Sequence, residues 1–291
     1  SFSKPHPPFD PPLSYWELYR DAEVPAPLRG DWSASASDVP LGLRRPTMSL
    51  SSVDRFDAAA IRQMRRAYYA LITQVDYALG HLFARLRELD LLDTTTMVFT
   101  SDHGDMLGDH HLGAKSVYCE GSAHVPFLVR PAPLLVRNRP AGGTTCDVLA
   151  CLTDVLPTLL GAAGLAIPTG LDGRDLLADL RHGTGREQLL GEAIELHGIV
   201  DRRYRYHWCA EGGAELLFDL LSDPGETRDL VRAGTHAAEL ARFRQTRRTH
   251  FQTTGNPLAA NGRLVSRPSA PLQRGGWPGF HSLVTPNEVC H

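Results

Sequence analysis

Lysine is nearly absent from this 291-residue chain: Lys4 and Lys115 are the only two among 30 basic residues. Such a bias is the usual outcome of genomic base composition. Where a plain surface charge suffices the chain uses arginine, so a retained lysine hints at a position that wants a compact, tunable ammonium. Cysteine is sparse and unpatterned. Cys119, Cys146, Cys151, Cys209 and Cys290 form an odd set of five with no C-x-x-C pair. That reads as neither a disulfide framework nor a zinc ribbon. There is no run of about 18 apolar residues, so no membrane span is expected. No Lys/Arg block stands out and the net charge is -3, which argues against a nucleic-acid or anionic-membrane surface. Internal repeats are absent as well. The chain opens without Met and without a leader of charge followed by an apolar run, and it reads as cut from something longer. Cytoplasm and periplasm both stay open as compartments, with the unpatterned thiols leaning to the former.

What is present is an ordinary globular composition, 42% hydrophobic and 22% charged, long enough for one large domain or two smaller ones. Residues 1–56 hold nine Pro before position 47 and a Ser-rich stretch at 47–52. A connection that long without regular elements is uncommon and often functional. Next, Ile61, Met64, Tyr68, Leu71, Ile72, Val75, Leu79, Leu82, Phe83 and Leu86 recur at steps of three and four. This predicts a long helix from Asp57 to Leu89, capped by Asp54 or Ser52. Residues 95–100 are β-branched and apolar and read as a buried strand, with a second strand over 125–129. Helix followed by strand points to an α/β fold with a mostly parallel sheet flanked by helices. Residues 154–160 begin a further helix, capped by Asp154 or Thr153 and ended by Gly164. The turn-rich stretch 168–173 marks a domain boundary. Beyond it, 188–194, 199–209 and 215–220 read as strands of a smaller antiparallel lobe, followed by an Arg-rich helix over 236–251. The expected organisation is therefore a catalytic α/β part over 1–167, a small α+β lobe over 168–251 and an irregular tail over 252–291.

The densest chemistry lies just after the first strand. Asp102, Asp105 and Asp109 with His103, His110 and His111 fall within ten residues. Carboxylates and imidazoles are divalent-metal ligands, and in α/β sheets ligands gather at strand carboxyl ends. The alternative is a polar loop whose Asp residues cap turns. Asp102 and His103, nearest the strand end, are the best placed as ligands, while Asp109, His110 and His111 suit structural roles equally well. Gly104 would allow a turn tight enough to bring backbone near the ion. Lys115 follows, and an ammonium beside a metal can hold a tetrahedral oxyanion. His6 stands in Lys4-Pro5-His6-Pro7-Pro8, where the prolines stiffen the backbone that presents it.

Together these segments resemble the sulfatase family of the alkaline-phosphatase-like superfamily. Ser3–Pro12 is similar to its P-H-x-P segment, and Thr100–His110 to T-S-D-H-G-x-x-L-G-x-H. Lys115–Phe127 resembles K-x-x-x-Y-E-G-S-x-x-x-P-F, with Cys119 where Tyr is frequent and His124 where Arg is more usual. Asp154–Gly164 with Leu171–Arg174 resembles D-x-x-P-T-L-L-x-x-x-G and L-D-G-R, and Leu217–Glu226 resembles L-Y-D-L-x-x-D-P-x-E. The resemblance implies an alkaline-phosphatase-like fold, here incomplete, and hydrolysis of a small-molecule or sugar sulfate ester. It implies Asp102 and His103 as metal ligands, with Lys115 on a sulfate oxygen and His6 at the leaving-group oxygen. It also implies a divalent ion: Ca²⁺ or Mg²⁺ with all-oxygen donors, Ca²⁺ the first choice, and Mn²⁺ or Zn²⁺ if His103 ligates. The family's paired Asp and its C/S-x-P-x-R segment, source of the formylglycine nucleophile, have no match in this sequence. The nucleophile is then expected in a preceding segment, and the isolated chain is expected to be inactive. A phosphonate or phosphate ester hydrolase of the same superfamily and a non-catalytic sulfatase remnant are the alternatives.

Overall fold

The apolar steps of three and four over residues 61–86 form a single long helix, Ala58–Glu88. Its first turn is closed by Asp57, whose carboxylate accepts the Ala60 amide at 2.7 Å; Asp57, not Asp54, is the cap, and Ser52 lies outside the described residues. The computed structural model describes residues 1–44, 53–134, 136, 142–193 and 195–270. Eight strands occur among them: β1 Met97–Thr100, β2 Phe127–Arg130, β3 Gln188–Ala193, β4 Leu196–Asp201, β5 Tyr204–Cys209, β6 Glu215–Asp219, β7 Ala259–Ala260 and β8 Arg263–Leu264. No helix among the described residues is long and apolar enough to cross a membrane.

The chain divides into two compact units, residues 1–76 with 103–124 and 190–291, and residues 77–102 with 125–189. In the first, β3-β4-β5-β6 form a four-stranded sheet. Its register pairs Ile199 with Tyr206 and Tyr206 with Leu217. β5 is buried along its whole length, so both faces of the sheet are covered. Tyr204, Tyr206 and Trp208 pack with Phe243 and Phe251 of the helix Ala237–Thr254. Cys209, one step out of phase, packs with Trp32, Leu112, Val117 and Cys119. Alternation along one strand thus feeds two cores. Each fully buried aromatic ring contributes about 1.5–3 kcal/mol.

The second unit contains β1 and β2, the helix Val155–Ala162 and the helix Leu176–His182. The mostly parallel sheet expected from the sequence is not what these strands form. β1 pairs with β2 antiparallel, Met97 opposite Arg130 and Thr100 opposite Phe127, and β4–β5, β5–β6 and β7–β8 are antiparallel as well. Residues 101–126 hold only the short turns Asp109–His111 and Glu120–Ala123, not the crossover helix that a parallel partner requires.

The boundary placed at 167/168 falls inside the second unit. Asp154 is fully buried and accepts both Arg186 nitrogens, at 2.8 and 2.6 Å, and the Arg174 amide at 2.7 Å. These bonds tie 172–186 to 151–162 across the expected linker. Asp154 is spent on them and on the Cys151 amide at 2.8 Å, so it makes no side-chain cap to the helix that follows. Within the tail, β7 and β8 form a short ladder, and residues 271–291 lie outside the described residues.

Candidate active site

The loop after β1 is shaped by its own polar side chains. Asp105 accepts the Leu107 amide at 2.9 Å and the Ala114 amide at 3.0 Å, which closes residues 105–114 into one turn. Burial raises its pKa, and these two amides and the nearby Lys115 act in the opposite direction. Gly104 is required for a different reason from the one its place near an ion suggests. A Cβ there would stand 2.2 Å from the Gly121 carbonyl oxygen, and the Gly104 amide donates to the Ser122 carbonyl at 2.8 Å. The glycine lets segments 103–109 and 119–122 close on each other. Leu107, His110, His111, Ala114 and Ser116 all have positive φ, between 45° and 77°. For non-glycine residues each such conformation costs roughly 1–2 kcal/mol, and strain of this kind concentrates at functional sites.

Asp109 and His110 hold this loop in place. Asp109 pairs with the buried Arg65 and accepts the Leu28 amide at 2.8 Å. His110 is buried, stacks on Trp32 with centroids 4.5 Å apart and bonds Ser33 Oγ at 2.8 Å. Burial lowers its pKa, which keeps the ring neutral.

Three of the four residues singled out from the sequence come together. Lys115 Nζ lies 2.9 Å from His6 Nε2 across more than a hundred residues of chain. The His6 and His103 rings meet edge-on with centroids 6.3 Å apart. Asp102 is exposed and adjoins His103 in sequence at the end of β1. The segment carrying His6 is pinned from both ends. Phe9 is buried against Tyr68 of the long helix, ring centroids 5.6 Å apart, and Lys4 pairs with Asp10 and donates to the Pro8 carbonyl at 2.7 Å.

The protonation pattern follows from the acceptors. His6 Nδ1 lies 2.8 Å from the Pro7 carbonyl, which only accepts, so Nδ1 carries the hydrogen. Nε2 then accepts from Lys115. His103 Nδ1 likewise donates to the Gly104 carbonyl at 2.8 Å, which puts the lone pair on Nε2. A metal-binding histidine is oriented this way by a backbone carbonyl.

One group went unread in the sequence. Among the described residues, Cys119, His207 and Glu226 place potential ligand atoms within 4.8 Å of one another, all three buried. Glu120 and Glu226, from two separate family-like segments, both pair with the buried Arg205, Glu226 at 3.1 Å. The Glu120 amide also donates to Glu226 at 2.8 Å. The motif glutamates are thereby explained as a structural ion-pair network. In sequence, only the alternation of β5 signalled that Arg205 and His207 share a face.

Residues 1–165 match the family model described as Sulfatase. The chain is 34% identical to an arylsulfatase of Clostridium perfringens over 239 residues, covering 80% of this chain and 48% of that protein. It is 33% identical to a choline-sulfatase of Rhizobium meliloti, covering 86% of this chain and 50% of that one. The solved phosphonate monoester hydrolase of Silicibacter pomeroyi superposes with a TM-score of 0.68 at 26% identity, over 86% of this chain and 54% of that one. The chain thus spans about half the length of the relatives it matches. With a family model covering more than half of its residues, and the histidine, lysine and Asp-His segments brought to one loop system, this chain belongs to the sulfatase family.

Proposed function

We propose that the chain supplies the leaving-group and anion-holding side of a sulfuric ester hydrolase acting on a small aryl or sugar sulfate. The observation that carries this reading is the 2.9 Å approach of Lys115 Nζ to His6 Nε2 beside the His103 ring. A tetrahedral monoanion calls for a fixed cation, and S–O cleavage places charge on the ester oxygen, which calls for a proton donor. Lys115 has three N–H groups, so it can bind a sulfate oxygen while still reaching His6. His6 takes a proton on Nε2, with Lys115 as the adjacent donor, and delivers it to the departing ester oxygen. The Pro7 carbonyl keeps the ring oriented throughout. The S–O(ester) bond breaks, the sulfur gains a bond to the nucleophile, and the alcohol leaves neutral. The nucleophile, a formylglycine in this reading, belongs to a segment outside this chain. Asp102 and His103 would hold a divalent ion, Ca²⁺ by its oxygen donors or Mn²⁺ or Zn²⁺ through His103, whose chemistry is to neutralise charge on the transferring group.

The rival is phosphonate or phosphodiester hydrolysis, favoured by the superposition on a phosphonate monoester hydrolase. Paired initial rates on p-nitrophenyl sulfate and p-nitrophenyl phenylphosphonate separate the two, measured on the longest open frame containing this chain. Faster sulfate turnover is expected, and faster phosphonate turnover would move the assignment to phosphorus. In that protein Lys115→Ala should lower kcat/KM by about 10²–10³, the usual loss of one oxyanion donor, whereas Arg130→Ala should change it little. The 291-residue chain alone should not turn over p-nitrophenyl sulfate above buffer. Turnover by neither preparation, with both folded, would favour the non-catalytic reading.

A further inference from the structure

Beneath the loop that carries Lys115, His207 is fully buried and neither ring nitrogen has a hydrogen-bond partner. An imidazole stripped of water without partners costs on the order of 1–3 kcal/mol, so the position calls for a ligand or a reason. Cys119 is also fully buried and Glu226 nearly so, and the donor atoms of all three lie within 4.8 Å of one another. His207 Nε2 stands 3.8 Å from Glu226 Oε1, beyond a hydrogen bond. It is, however, only a little wider than the roughly 3.3–3.5 Å that an imidazole nitrogen and a carboxylate oxygen span on one tetrahedral ion with bonds of about 2.0–2.2 Å.

We propose that Cys119 Sγ, His207 and Glu226 form a structural site for a borderline divalent ion of the Zn²⁺ type, separate from the ion that Asp102 and His103 would hold. A thiolate, an imidazole and a carboxylate are that ion's donor set, and they leave one position for a small exogenous ligand. Glu226 has lone pairs to spare: Oε1 already accepts from Arg205 and Oε2 from the Glu120 amide, and each oxygen keeps a second acceptor site. Arg205 lies between Glu120 and Glu226, and His124 pairs with Glu120 from the exposed side. Burial pushes the Cys119 thiol well above its ordinary pKa. Binding would exchange the Cys119 S–H proton for a sulfur–metal bond and release one H⁺.

The ion would join three segments: the turn before Glu120–Ala123, strand β5 and the turn after β6. Cys119 lies four residues beyond Lys115, so the staple would brace the candidate catalytic loop from below. Where the family frequently has Tyr, this chain has the smaller, ligating Cys119, with His207 close beside it.

The test uses the full 291-residue chain produced in Co²⁺-supplemented medium. The expected result is a near-ultraviolet thiolate-to-Co²⁺ charge-transfer band, with X-ray absorption showing one sulfur and otherwise nitrogen and oxygen neighbours. Cys119→Ser should lose the band with its far-ultraviolet circular dichroism unchanged. Cys209→Ser, a buried thiol of the same core, should keep it, and so should Asp102→Ala, whose site offers no sulfur. Absence of sulfur around the bound Co²⁺ of the unaltered chain, or loss of the band in Cys209→Ser instead, would overturn the site. The wild-type spectrum decides the matter even if Cys119→Ser fails to fold. Either result leaves the hydrolase reading to its own assay.

Discussion

In the first unit β5 is buried from Tyr204 to Cys209, and three apolar clusters surround its sheet and the first half of the long helix. In the second, Ala132, Val136, Leu176 and Leu177 are the buried apolar residues among those described, while Tyr77, Leu82, Leu89, Leu128, Leu134 and Leu165 lie exposed. The contrast runs along a single helix. Ile61, Met64 and Leu71 are buried, yet Leu82 and Phe83, on the same periodic pattern, are not. Periodicity states which residues could face a core; it does not state that a core is there. The second unit is held instead by polar ties, Asp154 to Arg186 and Arg174 and the Arg174–Asp179 pair.

The sharpest way to break this comparison is to cut a ring from the first unit and a side chain from the second. Phe218 is fully exclusive of solvent and packs on Trp32 and His207. Phe218→Ala should cost about 3–5 kcal/mol in urea unfolding. Leu128, 58% exposed, should cost within about 0.5 kcal/mol as Leu128→Ala. Comparable losses at the two positions would show that the second unit is held by apolar burial as strongly as the first.

Next in size is the polar tie. Asp154→Ala strands the Arg186 guanidinium, whose side chain is 15% exposed, and removing one partner of a buried pair costs about 3–5 kcal/mol. The loss should be local: hydrogen exchange should speed up over 142–186 while β4–β6 keep their protection. Loss of protection in β4–β6 as well would mean that the two units unfold as one.

How far the sequence foretold each region follows from the range of the interactions involved. The long helix, β1 and the strands of the four-stranded sheet were legible as elements because their signals are local, but 199–209 breaks at 202–203 into β4 and β5, and β1 is not buried: Phe99 lies exposed. The gathering of His6, His103 and Lys115 was foretold only through the family-like segments, since nothing in Lys4–Pro8 itself points to Lys115. The antiparallel β1–β2 pair was misread because a helix before a strand suggests a crossover without naming the partner strand. Cys119 shows in the sequence only as a departure from a frequent Tyr, and the Cys119–His207–Glu226 group stayed invisible because it needs the register of β5 and the turn after β6 together. The boundary at 168–173 looked convincing as Pro-Thr-Gly, but Arg174 and Arg186 reach back to Asp154 across it.

The smallest expected effect separates the units by pH. His197 in β4 is buried between Trp208 and Phe251, centroids 5.3 and 4.9 Å away, and neither nitrogen has a hydrogen-bond partner. Burial first, then the nearby Arg247, lowers its pKa to about 4, with Arg267 and His250 adding to this and Glu192 opposing it. The unfolded chain accepts a proton near the ordinary value of 6.5 that the folded chain refuses until about 4. Stability from this group is therefore full above the unfolded value and declines as pH falls from about 6.5 to 4, by about 1–3 kcal/mol in all. Asp154 behaves in the opposite sense. Burial raises its carboxyl, but Arg186 and the Cys151 and Arg174 amides outweigh that and hold it below the usual value of 3.8. Its contribution is intact above that value and is lost only as pH falls further. Between pH 6.5 and 4 the first unit should soften while the Asp154 tie of the second stays whole, and His197→Phe should flatten the first unit's loss. Unfolding curves of wild type and His197→Phe that stay parallel across this range would show that the ring at 197 carries none of the acid sensitivity.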